Sequence, residues 1–370
     1  MKEVLKPHKP LLVIITFRSM LQKEVSYLRL IHSLIVPIFS GLEKRYKVQY
    51  LKLKEKAVTI PDCSENEIYF NVKAGFLRFF PLSLFFFLRK HKPSIVFVHG
   101  FIFPLQLLFL YCFISGSTKV IVQHHAEKPY QNRIKRWFQK IAYSRADAYL
   151  FTSKGLAQIF VEDKIIRDSN LIHEVMEFSS RFINRNMNRP AHSFLWIGRL
   201  DANKDPITML KGFRLYLYHN PKAKLNMIYA SAIIEDEVKL YIKENEMSAA
   251  VKLLGKIPHD RLEVLFNSSV FFISASHYEG MGIAFCEAMS CGCIPIGTNI
   301  APFRSMTDDR ACALLFEPGN EVDLFNKLKE SERIDIEKMR ELVLLQFKNK
   351  LSFNAIGRRI EEVADRLVNS

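Results

Sequence analysis

The sequence predicts an α/β protein of two stacked domains with a cleft between them, and three observations predict it. At 370 residues the chain has length for about two domains, each able to bury a core. Short β-rich apolar runs recur, each followed by a stretch of helical composition, which is the rhythm of βαβ units. That rhythm breaks once, at the polar stretch 179–192 (SSRFINRNMNRPAH), and then restarts.

The elements follow in order. Residues 11–16 (LLVIIT) read as a buried strand, with a helix over about 23–39 and a second strand over 46–53. Runs at 94–99 (SIVFVH), 119–124 (KVIVQH) and 148–153 (AYLFTS) continue the set. They lack apolar–polar alternation, as strands of a parallel sheet covered on both faces do. Past the polar stretch, strands at 193–200, 224–231, 251–257, 270–276 and 294–297 alternate with helices at 205–219, 235–246, 259–267 and 281–290. The closing stretch 351–368 sets Phe353, Ile356, Ile360, Val363 and Leu367 at helical spacing. Taken alone it reads as a terminal helix packed on the second domain. The expected division is therefore 1–188, 189–350 and a closing helix over 351–370.

Charge separates the halves. The chain carries 53 Lys and Arg against 38 Asp and Glu, with 49% hydrophobic and 25% charged residues, so it is neither disordered nor collagen-like. Residues 1–188 hold 29 basic and 14 acidic side chains, whereas 189–370 hold 24 of each. A basic surplus admits nucleic acid, an anionic membrane or an acidic small molecule. No nucleic-acid module or zinc-ligand spacing accompanies it, which argues against nucleic acid.

Six cysteines without paired spacing, and a polar, basic stretch 1–10, point to a reduced cytoplasmic compartment. Cys291 and Cys293 lack a second Cys or His pair and read as small core residues. The apolar stretch 75–88 contains Arg78 and Pro81, and 94–116 contains His99, Gly100, Pro104 and Gln106. A spanning helix needs about 20 mostly apolar residues, so strand, turn and helix fit both stretches better.

The chemistry concentrates at 276–289 (SHYEGMGIAFCEAM). A buried strand ends in a turn carrying Gly280 and Gly282, and a helix begins. Unpaired N–H groups at a helix start attract anions, and glycines let a phosphate come close. Glu279 in the turn and Glu287 in the helix are able to accept hydrogen bonds from a polyol such as a sugar or ribose. Singly, each reads as a solvated surface carboxylate. Arg199, at the end of strand 193–200, and Lys204, just beyond it, supply a planar fork and a point charge, both suited to phosphate oxygens.

Glu279-x7-Glu287, with Gly280 and Gly282 inside it and Ala288-Met289-Ser290-Cys291-Gly292-Cys293-Ile294-Pro295 after it, resembles the signature of retaining GT-B glycosyltransferases, in particular family 4 (group 1). The segment from Gly198 to Asp205 (GRLDANKD) is similar to that family's diphosphate-binding stretch, and Ser352-Phe353 to its closing segment. The resemblance implies two Rossmann-like domains facing a cleft, with the last helix crossing back to the first. It also implies that a sugar passes from a nucleotide-diphosphate sugar to a saccharide or lipid-linked acceptor in cell-surface glycan synthesis. The anomeric configuration is retained, and neither cofactor nor metal is needed.

Carried over residue by residue, Glu287 holds the ribose of the donor, and Glu279 the transferred sugar. The backbone of Gly280, Met281, Gly282 and Ile283 faces sugar and phosphates, and Arg199 and Lys204 hold the diphosphate. Family members place a His after the strand ending at Gln123, near the transferred sugar. His124 is favoured for that role and His125 is the alternative. His99 and Arg18 are weaker candidates on the acceptor side. One departure stands out, because Thr16-Phe17-Arg18-Ser19-Met20 lacks the family's glycine-rich turn after the first strand. Another is Ala275-Ser276, where Pro-Ser is common.

Basic and aromatic residues interleave at Lys44–Lys47, around Arg78, and from Arg133 to Lys140 around Trp137. These stretches suit an anionic bilayer, at about 1 kcal/mol per basic residue near the surface. The expectation is a peripheral enzyme on the inner face of the plasma membrane. The alternatives are another GT-B chemistry, sugar epimerisation or phosphorolysis, and, from a different class, a basic nucleic-acid-binding protein.

Overall fold

The computed structural model describes residues 9–20, 35–55, 65–72, 80–185 and 187–369. The chain forms two compact units, Met1–Glu177 with Phe353–Ser370, and Phe178–Ser352.

The first unit is built on a parallel sheet in the order β3-β2-β1-β4-β5-β6-β7. Its strands are β1 (Leu11–Met20), β2 (Lys47–Glu55), β3 (Glu67–Val72), β4 (Ile95–His99), β5 (Lys119–Gln123), β6 (Ala148–Phe151) and β7 (Ile172–Glu174). Helices α1 (Leu82–His91), α2 (Pro104–Phe113), α3 (Arg133–Tyr143) and α4 (Lys154–Glu162) connect them. Val13, Ile15, Val96, Val98, Val120 and Val122 form the sheet side of the core. Branched side chains covered on both faces account for the unbroken apolar runs.

The first strand runs beyond its expected end at residue 16. β1 continues through Arg18 to Met20, with a register shift between Thr16 and Ser19. Phe17 explains the continuation, because its ring is buried 6.3 Å from that of Phe85 and 5.9 Å from that of Phe103. Of the helix expected over 23–39, residues 35–39 are helical, and 23–34 lie outside the described residues, as do Arg78 and Cys63.

The second unit repeats the plan, in the order β10-β9-β8-β11-β12-β13. The strands are β8 (Ser193–Leu200), β9 (Lys224–Ala232), β10 (Val251–Gly255), β11 (Phe271–Ser274), β12 (Ile294–Thr298) and β13 (Leu314–Phe316). Between and after them run α5 (Pro206–His219), α6 (Glu235–Glu244), α7 (His259–Asn267), α8 (Ile283–Ser290), α9 (Ala301–Met306), α10 (Glu321–Glu330) and α11 (Ile336–Gln346). In both sheets the first and fourth strands of the unit are neighbours, β1 with β4 and β8 with β11. The winding reverses at that point, and in open α/β sheets ligands bind beyond the carboxyl ends of such strands.

Residues 178–185, in the stretch read as a linker, group with the second unit through specific bonds. The Ile183 amide donates to Glu263 at 2.9 Å and that of Arg185 to Asn267 Oδ1 at 2.7 Å, both acceptors on α7. Arg189 continues the strap, donating to the carbonyls of Ser269 and Cys291. Cys291 and Cys293 are buried, and burial pushes both thiols up.

The last helix, α12 (Phe353–Asn369), groups with the first unit rather than the second. Leu351, just before it, is buried, as are Ile356, Ile360 and Val363 along it. Tyr46 donates to Asp365 at 2.6 Å, and Arg45 forms an ion pair with the same carboxylate. Gly357 is the point of closest approach, since a Cβ there would lie 2.4 Å from the carbonyl oxygen of Ile38. Backbone cannot yield as a side-chain tip does. Gly357→Ala is therefore expected to cost about 1–3 kcal/mol of stability, read as a lowered denaturation midpoint. An unchanged midpoint would refute this close approach.

Candidate functional site

The site grows from two loops, one after β8 and one after β11. Asp201 organises the first loop by accepting from Arg199 Nε at 2.6 Å and from the Lys204 amide at 3.0 Å. Burial alone would raise the Asp201 carboxyl, but these donors overcome it and hold the group below the usual range. Asp205 adopts a left-handed φ of 42° and caps α5 through Thr208.

Polar bonds then sew the two loops together. The His277 amide donates to the Asn203 carbonyl at 2.8 Å, and Asn203 Nδ2 donates to the Tyr278 carbonyl at 3.0 Å. His277 Nε2 meets Asp205 Oδ2 at 2.9 Å. Lys204 and Glu279, 75 positions apart in sequence, form an ion pair. Two residues singled out from the sequence for different parts of one ligand are thus direct neighbours. The Arg199 side chain is more than half exposed.

Helix α8 begins directly after this seam. Gly282 is its N-cap, with φ of 88°. A Cβ there would lie 2.7 Å from a ring carbon of Phe303, whose ring stacks on that of Phe285 at 4.1 Å. Both backbone conformation and space therefore require glycine. No side chain of the cap residue serves the first amides of α8, which is the arrangement that attracts anions. The Met281 side chain is buried and its sulfur accepts from the Phe178 amide, so this residue offers only backbone to a ligand. Ile283 is half-buried at the first turn.

Glu287 lies one turn further and is 3% exposed. A buried carboxylate needs a partner, and His259 Nε2, from the start of α7, lies 2.6 Å from its Oε1. This hydrogen bond is the largest influence on His259 and, against the burial of the ring, raises its pKa. Sequence reasoning missed His259. Its one signal was a position at the start of an expected helix, 28 residues from its partner.

In the first unit, the carboxyl ends of β4 and β5 carry three histidines with different surroundings. His124 is buried, its Nε2 lies 2.9 Å from the Glu127 carbonyl oxygen, and burial lowers its pKa. His125 keeps part of its ring exposed and forms an ion pair with Glu177. Burial alone would lower the His125 pKa, but Glu177, assisted by Glu127, raises it. His99 Nδ1 lies 2.9 Å from His125 Nε2. Glu127 also fixes the loop, accepting from the amides of Phe101 and His125. Arg18 is exposed on β1.

Residues 181–342 match the family model described as glycosyl transferases group 1. The chain is 29% identical over 222 residues to a GDP-mannose:cellobiosyl-diphosphopolyprenol alpha-mannosyltransferase of Xanthomonas campestris, and the match covers 57% of each chain. This chain thus spans little more than half of that relative. It is 21% identical over 260 residues to a Campylobacter jejuni N-acetylgalactosaminyltransferase named for an undecaprenol-diphosphate-linked saccharide, covering 70% of this chain and 68% of the relative.

Among solved structures, a glycosyltransferase from Rickettsia africae superposes with a TM-score of 0.75 at 15% identity, over 99% of this chain and 100% of that one. The lipopolysaccharide outer core galactosyltransferase WaaB gives 0.68 at 14% identity, over 96% and 99%. The fold is GT-B, with two Rossmann-like units. The likeness in sequence to glycosyl transferases group 1 lies in the second unit.

Gly282→Ala is expected to lower the thermal midpoint by an amount equivalent to about 1–3 kcal/mol. Calorimetry of wild type and variant checks this, and equal midpoints would contradict the role of the Phe303 wall.

Proposed function

We propose that the protein is a retaining glycosyltransferase that moves a sugar from a nucleotide-diphosphate sugar to a saccharide or lipid-linked saccharide in cell-surface glycan synthesis. The observation that carries this reading is the gathering of Arg199, Lys204, Glu279, the start of α8 and Glu287 beyond β8 and β11. Arg199, Lys204 and the α8 amides neutralise the leaving diphosphate, the work a metal ion does elsewhere. Glu287 takes the ribose hydroxyls.

In this reading Glu279 holds Lys204 until the donor arrives. The diphosphate then takes the lysine, and Glu279 turns to the sugar hydroxyls. The bond from the anomeric carbon to the phosphate oxygen breaks as the acceptor oxygen bonds on the same face. The acceptor's proton passes to the departing phosphate. Relatives named for polyprenol-diphosphate saccharides support a lipid-linked acceptor.

Such an acceptor sits at a membrane. Among the described residues no helix is long and apolar enough to cross one. Helices α1, α2 and α3 pack side by side in the first unit and expose Leu82 and Phe86, Leu105 and Phe109, and Ile134 and Trp137 respectively. Arg89, Lys90, Arg133 and Lys135 are exposed on the outer two. Apolar anchors interleaved with cations match an anionic bilayer face, here the inner face of the plasma membrane.

Two experiments test these readings. UDP, GDP and ADP, alone and as their sugars, are screened for thermal stabilisation of the full chain, and one of them is expected to bind. Lys204→Ala is expected to weaken that nucleotide about 10- to 100-fold, the loss of a charge-assisted bond. Release of nucleotide diphosphate matched by a glycosylated acceptor distinguishes transfer from epimerisation or phosphorolysis, and binding of none of the nucleotides would overturn the assignment.

In flotation, the protein is expected to rise with vesicles containing phosphatidylglycerol but far less with neutral ones, and Trp137→Ala to reduce recovery about threefold or more. Equal recovery with both vesicle types would remove the membrane from the proposal.

A further inference from the structure

We propose that His259 is a positioning residue of the nucleotide site, clamping Glu287 and making nucleotide diphosphate binding weaken as pH rises through neutrality. The inference rests on the reading of Glu287 as the ribose ligand given above, and it adds a residue that the motif does not contain.

The geometry is specific. His259 Nε2 holds Oε1 of Glu287 at 2.6 Å, leaving Oε2 to accept from a ribose hydroxyl. Phe182 stacks on the imidazole with centroids 4.9 Å apart and planes inclined by 29°. Phe182 is itself fixed, because its amide donates to Ser180 Oγ at 3.0 Å and Ser180 Oγ meets Ser290 Oγ of α8 at 2.8 Å. Asn267 Nδ2, at the end of α7, donates to the Ile183 carbonyl at 2.9 Å. The strap over 180–185 therefore ties α7 to α8 and holds the ring against the carboxylate.

Charge gives the clamp its second property. A helix start is an unfavourable place for a cation, so an imidazolium at the first residue of α7 depends on its acidic neighbours. Glu287 faces it from α8 and Asp260 lies beside it on α7. The strap presents the Phe182 ring, its Arg185 being paired with Glu263 at 2.8 Å. The hydrogen bond to Glu287 raises the His259 pKa above its ordinary value.

Below the ordinary histidine value the pair is an imidazolium with a carboxylate, and it presents no net charge to an incoming diphosphate. As pH climbs through the raised value, the proton leaves and the carboxylate's negative charge is uncovered beside the phosphates. Affinity then falls. The same linkage makes the pair's contribution to folding complete at low pH and lost across the same window.

The test measures UDP and GDP dissociation constants for the full chain from about pH 6 to about pH 8.5 by calorimetry. Wild type is expected to lose about three- to tenfold in affinity across this range beyond any change seen in His259→Gln. Glutamine keeps an N–H donor for Glu287 but cannot titrate. Ionisation of the nucleotide's own phosphate is common to both proteins and cancels. His259→Leu, which removes the donor, is expected to bind more weakly than His259→Gln at every pH.

Parallel profiles for wild type and His259→Gln would overturn the inference while leaving the donor site standing. Undiminished binding in Glu287→Ala would remove the ribose reading beneath it. Absence of UDP and GDP binding by wild type at every pH would overturn both.

Discussion

The Lys204–Glu279 pair is the interaction on which the rest of the candidate site depends. A parallel sheet whose winding reverses between β8 and β11 sends the loops after those strands in opposite directions. A crevice results, but nothing in sheet geometry alone fixes its walls. Here the walls are fixed by polar bonds from one loop to the other, with Asn203, Asp205, His277 and Tyr278 supporting the central ion pair. The cost of ordering two loops falls on the fold and not on the ligand, which is how preorganised sites gain affinity.

The same logic extends to the other cations of the second unit's candidate site. Each arrives with a carboxylate, Arg199 with Asp201, Lys204 with Glu279 and His259 with Glu287. An unpaired cation in a partly buried crevice pays for its desolvation, and a ligand-free site with several would be unstable. Carboxylate partners remove that penalty. Glu287 differs from the other two in being buried, so its partner has to be a fixture.

Much of this was legible in the sequence, and the losses have physical causes. Long apolar strands such as β4 and β5 declare themselves because both faces are covered. The three-residue β7 and β13 and the polar-patterned β3 do not, since too few side chains report on a face. The strap over 178–185 has the composition of a linker, and only its partners on α7 show that its polarity is used. Glu279, Glu287, Arg199 and Lys204 stand out as candidates because each belongs to a dense local pattern. His259 and Glu177 belong to none, and their significance comes from contacts made across the sequence.

Positive charge serves the two units differently, and burial decides which use is possible. In the first unit, Lys52 is paired with Glu67, Arg136 with Asp163 and Arg45 with Asp365, so part of its positive charge is structural. Arg89, Lys90, Arg133 and Lys135 are instead exposed beside Phe86, Ile134 and Trp137. A water-facing charge attracts over about a Debye length of 10 Å and fixes no geometry. That is poorly matched to holding one diphosphate in register, and well matched to a surface that is itself extended and fluid. Precision in the second unit comes from pairing, whereas the first unit's exposed cations act as a field. A protein that took a soluble nucleotide at one unit and a lipid-borne acceptor at the other would need both.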